Sequence, residues 1–360
     1  MTTSIASEPD RVWVEIDRSA LLANARTIAA SAGVPLCPMI KADAYGLGAV
    51  EVARTLEAIG PWGFGVATLD EAEALRRAGI SRPIVVFTPL APSQVERTLA
   101  LGLRPLLCDL EGMRAWLARG AHPFHLGVDT GMGRVGFHWT DPALVAEAGR
   151  LVGDAPGWEG IATHFHSADS DAEATAAQWR RFEDVIGALP RRPAMVHAAN
   201  SAGALRGRMY AGDLVRPGIF LYGGPVGEWA PAPRPVAALK ARVVAVRQLA
   251  AGETVSYGAT WRAPAATTIA TLALGYADGM HRSGAGRARV ELHGRPIPVV
   301  GRITMDLTMV AVPDGRVQVG DVATVFGGAV SLAEHAAALG TISYEVLTSM
   351  SARVVRSYHS

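Results

Sequence analysis

From about residue 33 to residue 222, short apolar runs alternate with amphipathic stretches. The runs VPLCPMI (34–40), GFGVAT (63–68), PIVVF (83–87), RPLLC (104–108), PFHLGVD (123–129), GIATHF (160–165), AMVHA (194–198) and LVRPGIFLY (214–222) read as buried strands. Helical patterns lie between them: Ala49–Ile59, Leu69–Ala78, Pro92–Leu101, Leu110–Arg119, Pro142–Val152 and Ala172–Leu189. In the last, Ala176, Trp179, Phe182, Val185 and Ile186 recur at helical spacing. Strands alternating with helices of this length predict βαβ units and a parallel sheet. Eight such strands, nearly continuous in apolar character, predict a closed (β/α)8 TIM-type barrel. No G-x-G-x-x-G follows the first strand, which counts against an open dinucleotide-binding sheet.

After Tyr222 the texture changes. The stretch GGPVGEWAPAPRPVA reads as a linker, and the runs beyond it (ARVVAVRQL, ETVSYGATW, TTIATLALGY, RVELHGRPIPVVG, ITMDLTMVAVP, DVATVFG) as a mainly antiparallel β domain. A helical stretch around Ser331–Leu339 closes it. The expected division is a barrel over residues 11–228 and a β domain over 229–360. Residues 1–17, with the run WVEID, are placed to pair with the second domain's sheet.

Composition narrows the class. With 34 Lys+Arg against 33 Asp+Glu in 360 residues, the net charge of +1 argues against a nucleic-acid footprint. No apolar run reaches the roughly 18–20 residues of a membrane span, and the opening MTTSIASEPDRVWVEID has no signal-peptide core. Cys37 and Cys108 lie in strand-like runs and read as buried free thiols, which together predicts a soluble cytoplasmic enzyme. Only two basic residues are lysine, Lys41 and Lys240. Arginine replaces lysine wherever charge suffices, but not where an amine must lose its proton, so Lys41 stands out. Lys240, without polar company, reads as solvated.

In a barrel of this kind the active site forms at the C-terminal ends of the strands. Lys41 ends strand one, Asp129–Arg134 follow strand five, and His164 ends strand six. His197, Asn200 and Ser201 end strand seven, and Arg216 in strand eight precedes Gly218. A desolvated lysine at a strand end suits a Schiff base. Small groups after strands seven and eight suit a phosphate. Pyridoxal phosphate meets both conditions, and so does a phosphorylated sugar held as an imine. His164, His166 and His197 resemble a metal set, but no acidic residue completes it, so no metal is expected.

The segments MIKADAYGLG, VDTGMGRVGF, THFHSAD, HAANSA, VRPGIFLYG, VSYGATW, LGYADG, VGRITMD and ISYEV resemble, in order and spacing, those of the alanine racemase family. The resemblance implies a pyridoxal 5'-phosphate enzyme, an amino-acid racemase acting as a homodimer on alanine. It implies D-alanine supply, a peptidoglycan precursor, with no nucleic acid and no membrane as partner. Lys41 would hold the cofactor as an imine and act as base on one face, and Tyr257, reaching the partner's site, on the other. Tyr45, Ser201, Gly218, Ile219 and Tyr344 would hold the phosphate. Arg216 would face the pyridine nitrogen, with His164 linking it toward Tyr257. Arg134, Met305 and Asp306 would contact or line the substrate, and Asp169, Tyr276, Arg282 and Arg302 the access corridor. A racemase of serine or broader specificity is the nearest alternative. A decarboxylase of related fold would use an acidic nitrogen partner, and a cofactor carrier would lack the β domain.

Two departures stand out. Gly127 occupies the place of a lysine that, in many members, steadies the arginine matched by Arg134, so another group, water or an anion is expected to replace it. Leu47 stands for a histidine and is expected to alter packing only.

Overall fold

The computed structural model describes residues 11–360, which form two compact units. One comprises residues 21–221 with 225–233; the other comprises residues 11–20, 222–224 and 234–360.

In the first unit, Phe64–Val66, Ile84–Val86, Arg104–Leu107, Phe124–Asp129, Trp158–Ala162 and Met195–His197 pair side by side in that order, all parallel. Two thinner segments close the ring. Residues 36–40 join the first of these strands through the bridge Met39–Gly65. Residues 213–217 give backbone bonds to the last strand and the residues after it, Asp213 N donating to Val196 O and Arg216 N to Ala199 O. The two segments then meet each other, Cys37 N donating to Val215 O and Met39 N to Pro217 O, both at 2.8 Å. These eight parallel segments are the (β/α)8 barrel. Its seam is thin because Pro35, Pro38 and Pro217 bring no N–H to the ladder. The extended course stops at Pro217; residues 218–222, expected to continue strand eight, run in turns, with Leu221 N donating to Gly218 O.

The outer helices start on side-chain caps. Thr68, Asp109, Asp141, Asp171 and Asn200 each accept the N–H three residues on, which satisfies a donor that the first turn leaves open. Helix Arg18–Ala32 escaped the sequence reading, since its apolar and polar positions are only weakly segregated.

In the second unit, the 13-residue strand Ala237–Leu249 organises the sheet. Its second half pairs with Thr267–Leu272, and its first half lies between Val322–Phe326 and Val12–Asp17. From Thr267–Leu272 the sheet passes through Thr308–Val312, Arg295–Val300 and Arg289–Leu292 to Val322–Phe326, which closes a small antiparallel ring. Val355–His359 adds alongside Val12–Asp17 as the one parallel pair described in this unit. Residues 1–10, included in the expected pairing, lie outside the described residues. Lys240, expected to be solvated, is half-buried in this sheet: its Nζ donates to Thr324 Oγ1 at 2.9 Å and lies 3.6 Å from Glu15. Alternation along the strand turns it toward its neighbours. Among the described residues no helix is long and apolar enough to cross a membrane.

Candidate active site

Lys41 stands where barrel segment 36–40 ends, and the chain then does something the sequence does not announce. Ala42, Asp43, Ala44 and Tyr45 all take positive φ, from 51° to 57°, in one turn of left-handed helix. For residues with a Cβ this conformation costs about 1–2 kcal/mol each. Hydrogen bonds hold the turn: Ala44 N to Ile40 O, Gly46 N to Ala42 O, and Ala49 N to the Asp43 carboxylate at 2.7 Å. The Glu71 carboxylate completes it, accepting Ala42 N on one oxygen and Ala67 N and Thr68 N on the other. Although Lys41 as a residue is exposed, partial loss of water around its amine holds its pKa below the ordinary lysine value. The charge of Arg134 adds to this and Glu71 opposes it.

On the adjoining segment, Arg216 is 4% exposed. Its Nη1 donates to His197 Nδ1 at 2.7 Å and to His197 O at 2.8 Å. Its Nη2 donates to Thr163 O, Ala198 O and, at 3.3 Å, His164 Nδ1. Burial, with Cys37 opposing and Arg134 adding, brings its pKa down to about 10, so it stays charged at neutral pH. A guanidinium only donates, which fixes the tautomers beyond it. His197 Nδ1 must be bare, so Nε2–H of the neutral ring donates to His125 Nδ1 at 2.6 Å. His125 Nε2–H then donates to Glu159 at 3.2 Å, and Arg104 donates to the same carboxylate oxygen at 2.7 Å. Both histidines are fully buried, and burial pushes both pKa values down. His164 is likewise neutral, its pKa brought down to about 3 by loss of water and then by Arg216, Arg134 and Lys41.

Beside Arg216, a small polar cradle forms. A Cβ on Gly218 would lie 2.3 Å from the Tyr45 hydroxyl, so only glycine leaves that hydroxyl its place. Ser201 Oγ accepts Gly218 N at 2.8 Å and Phe220 N at 3.4 Å, and the neighbouring Ile219 is buried. The Tyr45 and Ser201 hydroxyls, the second fixed by two backbone N–H groups, are donors of the kind that a phosphate takes.

A cleft opens beside Arg216 and His164, bordered also by Phe87, Gly127, Arg134 and Thr163. Arg134 is positioned through its backbone. The Asp129 carboxylate accepts Gly131 N, Gly133 N and Arg134 N at 2.8–3.1 Å. Burial works against its charge, but these donors outweigh it and hold its pKa below the ordinary value. From behind, Arg181 donates to Thr130 O, and Gln178, fully buried, donates to Thr130 Oγ1 and His164 O. At Gly127 itself there is no room for a longer side chain. A Cβ there would meet Cys108 Sγ at 2.7 Å and Leu106 Cγ at 3.2 Å. Leu106, Cys108 and Ala162 pack there with Phe87, so apolar side chains fill the room a lysine stem would need. Leu47 is fully buried.

The remaining candidates sit on the second unit, apart from Asp169, an exposed barrel-unit residue whose carbonyl accepts Trp229 Nε1. Tyr257 is 72% exposed, on a tight turn in which Ser256, Gly258 and Ala259 take positive φ. Ser256 Oγ donates to Arg302 O, and the Arg302 guanidinium lies against Gly258. Met305 and Tyr276 are exposed, and their backbones are joined by Tyr276 N to Thr304 O and Ala277 N to Met305 O. Under them the buried Asp278 carboxylate takes Arg11 bidentately, Arg353 and Gly275 N. Arg353 also holds Asp306 at 2.7 Å, so that carboxylate steadies the loop presenting Met305. Arg282 is exposed, and so is Tyr344, on helix Ser343–Thr348.

The sequence matches two family descriptions end to end: alanine racemase, N-terminal domain, over residues 16–225, and alanine racemase, C-terminal domain, over residues 236–358. The chain belongs to the alanine racemase family. An alanine racemase of Chlorobaculum tepidum is 43% identical over 337 residues, covering 88% of this chain and 87% of that protein. The crystal structure of alanine racemase from E. faecalis superposes with a TM-score of 0.90 at 35% identity, covering 97% of this chain and 98% of that one. That of Bartonella henselae alanine racemase, with covalently bound pyridoxal phosphate, gives 0.90 at 30% identity and covers 98% and 100%.

In this alanine racemase family member, Arg216 bonds the His164 ring, and Ser201 bonds Gly218 beside the Tyr45 hydroxyl. The Lys41 amine is coupled by charge to Arg134 and His164. Sequence reasoning missed His125, Glu159 and Glu71; Asp129 was named after strand five but given no role. The signal for the first two was a titratable residue inside an otherwise apolar strand, Phe124–Asp129 and Trp158–Ala162. Among the described residues no group of three His, Cys, Asp or Glu is placed to hold a metal. His164 and His197 give their Nδ1 atoms to Arg216 instead.

Proposed function

We propose that the protein is a pyridoxal-phosphate-dependent alanine racemase that interconverts L- and D-alanine with sites shared across a homodimer. The observation that carries the reading is the presence, at one barrel seam, of a lysine amine of lowered pKa and a buried arginine whose acceptors, among the described residues, are carbonyls and histidine rings. The residues fit the cofactor: the Tyr45–Ser201–Gly218–Ile219 cradle suits its phosphate, and Arg216 suits a pyridine nitrogen left unprotonated. When bound, pyridoxal phosphate supplies an aldehyde that condenses with an amine and a ring that draws electron density from the substrate's α-carbon.

Racemisation removes the α-proton from one face and returns a proton to the other, so two groups must flank that carbon. Lys41 Nζ serves one face, its lowered pKa favouring the free amine that accepts a proton. Tyr257 Oη, lent by a second copy, serves the other. Its 72% exposure, with Met305 at 52%, leaves apolar surface of the kind a partner subunit covers. Arg134 takes the substrate carboxylate, and Met305 limits the side chain. Arg216 presents fixed positive charge, and neutral His164 extends it toward Tyr257. Asp169, Tyr276, Arg282 and Arg302 line the approach, and Tyr344 belongs to the phosphate-holding set. The family resemblance supports a cytoplasmic enzyme supplying D-alanine, a peptidoglycan precursor.

Purified protein loaded with pyridoxal phosphate, reduced with borohydride and mapped by mass, is expected to carry the cofactor on Lys41 and not on Lys240. A chiral assay over alanine, serine, lysine and arginine should show fastest interconversion for alanine. Equal rates for serine would move the assignment to a broader racemase, because one hydroxyl shifts selectivity by only about 1–3 kcal/mol.

A further inference from the structure

The left-handed turn after Lys41 requires something to hold it. Four consecutive residues with side chains adopt a conformation that L-residues rarely sustain in series. Local bonds close the turn on itself and onto Ile40 and Ala49. The Glu71 side chain ties it to the neighbouring barrel strand. One carboxylate oxygen accepts the N–H of Ala42, the residue immediately after Lys41, at 2.7 Å. The other accepts Ala67 N at 2.7 Å and Thr68 N at 3.1 Å, just beyond strand Phe64–Val66. Glu71 belongs to the first turn of helix Leu69–Arg77, and its own N–H is capped by Thr68 Oγ1. The carboxylate is thus anchored at its base and engaged on both oxygens. Three N–H groups converging on one carboxylate form a charge-assisted set, stronger than neutral bonds.

We propose that Glu71 is the positioning residue for Lys41: its carboxylate pins the left-handed turn to the second barrel strand and so fixes where the lysine amine stands at the barrel mouth. The inference rests on the reading of Lys41 as the cofactor lysine. Around that amine the charged groups are Arg134 and Glu71, with the neutral ring of His164 also coupled to it. Glu71 is the anion of the set, so it acts on the amine by charge as well as by geometry. The two actions separate in variants. Glu71→Gln removes the charge and leaves one oxygen, enough for Ala42 or for the strand end but not for both. Glu71→Ala removes everything.

The test titrates the purified chain with pyridoxal phosphate, fixes each point with borohydride, and quantifies the Lys41 and Lys240 peptides by mass. Lys240, in the other unit, is the internal standard. Glu71→Ala is expected to need at least about tenfold more pyridoxal phosphate for half-modification of Lys41. Lys240 should be unchanged and the melting temperature should stay within a few degrees of wild type. Glu71→Gln should fall between the two, and in the loaded protein the pH midpoint of the cofactor's visible absorbance should move down as the amine loses its anion. If Glu71→Ala does not fold, the Glu71→Gln titration decides alone, through the same Lys41-to-Lys240 comparison. Lys41 curves that superpose on wild type in a folded variant would overturn the role of Glu71. A wild-type chain in which Lys41 is modified no better than Lys240 would instead overturn the reading of Lys41, and the proposal with it.

Discussion

Lys41 and Arg216 occupy neighbouring ends of the same barrel seam, yet the chain fixes them by opposite means. Arg216 is buried and donates to five acceptors, two of them histidine ring nitrogens whose tautomers it dictates. Lys41 is exposed and leads into four residues of left-handed backbone, held from outside by Glu71. The first arrangement suits a charge that must not move. The second suits an amine that must change partners, since the precision lies in the backbone and the side chain stays free. On the proposed function, a fixed charge and a mobile base are different requirements, and the seam meets each with a different device.

The contrast is broken most severely by removing each residue in turn. Lys41→Ala should abolish racemisation, by roughly 10²–10⁴-fold or more, while shifting the melting temperature little. Arg216→Met should also destabilise the barrel unit by about 3 kcal/mol or more, because the carbonyls of Thr163, His197 and Ala198 lose a buried donor. Denaturant unfolding of the two variants side by side checks this; equal stability losses would contradict the contrast.

A smaller effect is expected at Gly127. Gly127→Lys should cost about 1–3 kcal/mol through the contact with Cys108 Sγ, and Cys108→Ala in the same chain should recover part of that. A lysine that fits without penalty would show that the apolar filling is not what excludes it.

The pH dependence of stability sharpens the picture of the fixed side. His125, His164 and His197 have folded pKa values below the ordinary 6.5, so the unfolded chain binds more protons as pH falls. Stability is therefore full above about pH 7 and declines below about 6.5, by at most about 1.4 kcal/mol per pH unit for each such histidine. Melting temperatures between pH 8 and pH 5 should fall, and His125→Phe should flatten the slope. A melting temperature that rises on acidification would reverse the sign.

The two sides of the seam also differed in how far the sequence disclosed them. The alternation of apolar runs and helical stretches was enough for the barrel, and Lys41, His164 and Arg216 were visible because polar residues at apolar strand ends are conspicuous. Left-handed backbone at Ala42–Tyr45 was not visible, since alanine and tyrosine carry no preference for it and tertiary bonds impose it. The Glu71 clamp and the Arg216–His197–His125–Glu159 chain join residues tens of positions apart, and such pairings leave no local mark. Lys240 was misread because a strand lysine with a neighbour across the sheet looks, in one dimension, like any solvated charge.

The most direct test of two bases on opposite faces follows α-proton exchange in heavy water from L-alanine and from D-alanine separately, with Tyr257→Phe. The account predicts that exchange persists from one enantiomer and falls about 10²-fold or more from the other. Equal exchange from both would contradict it.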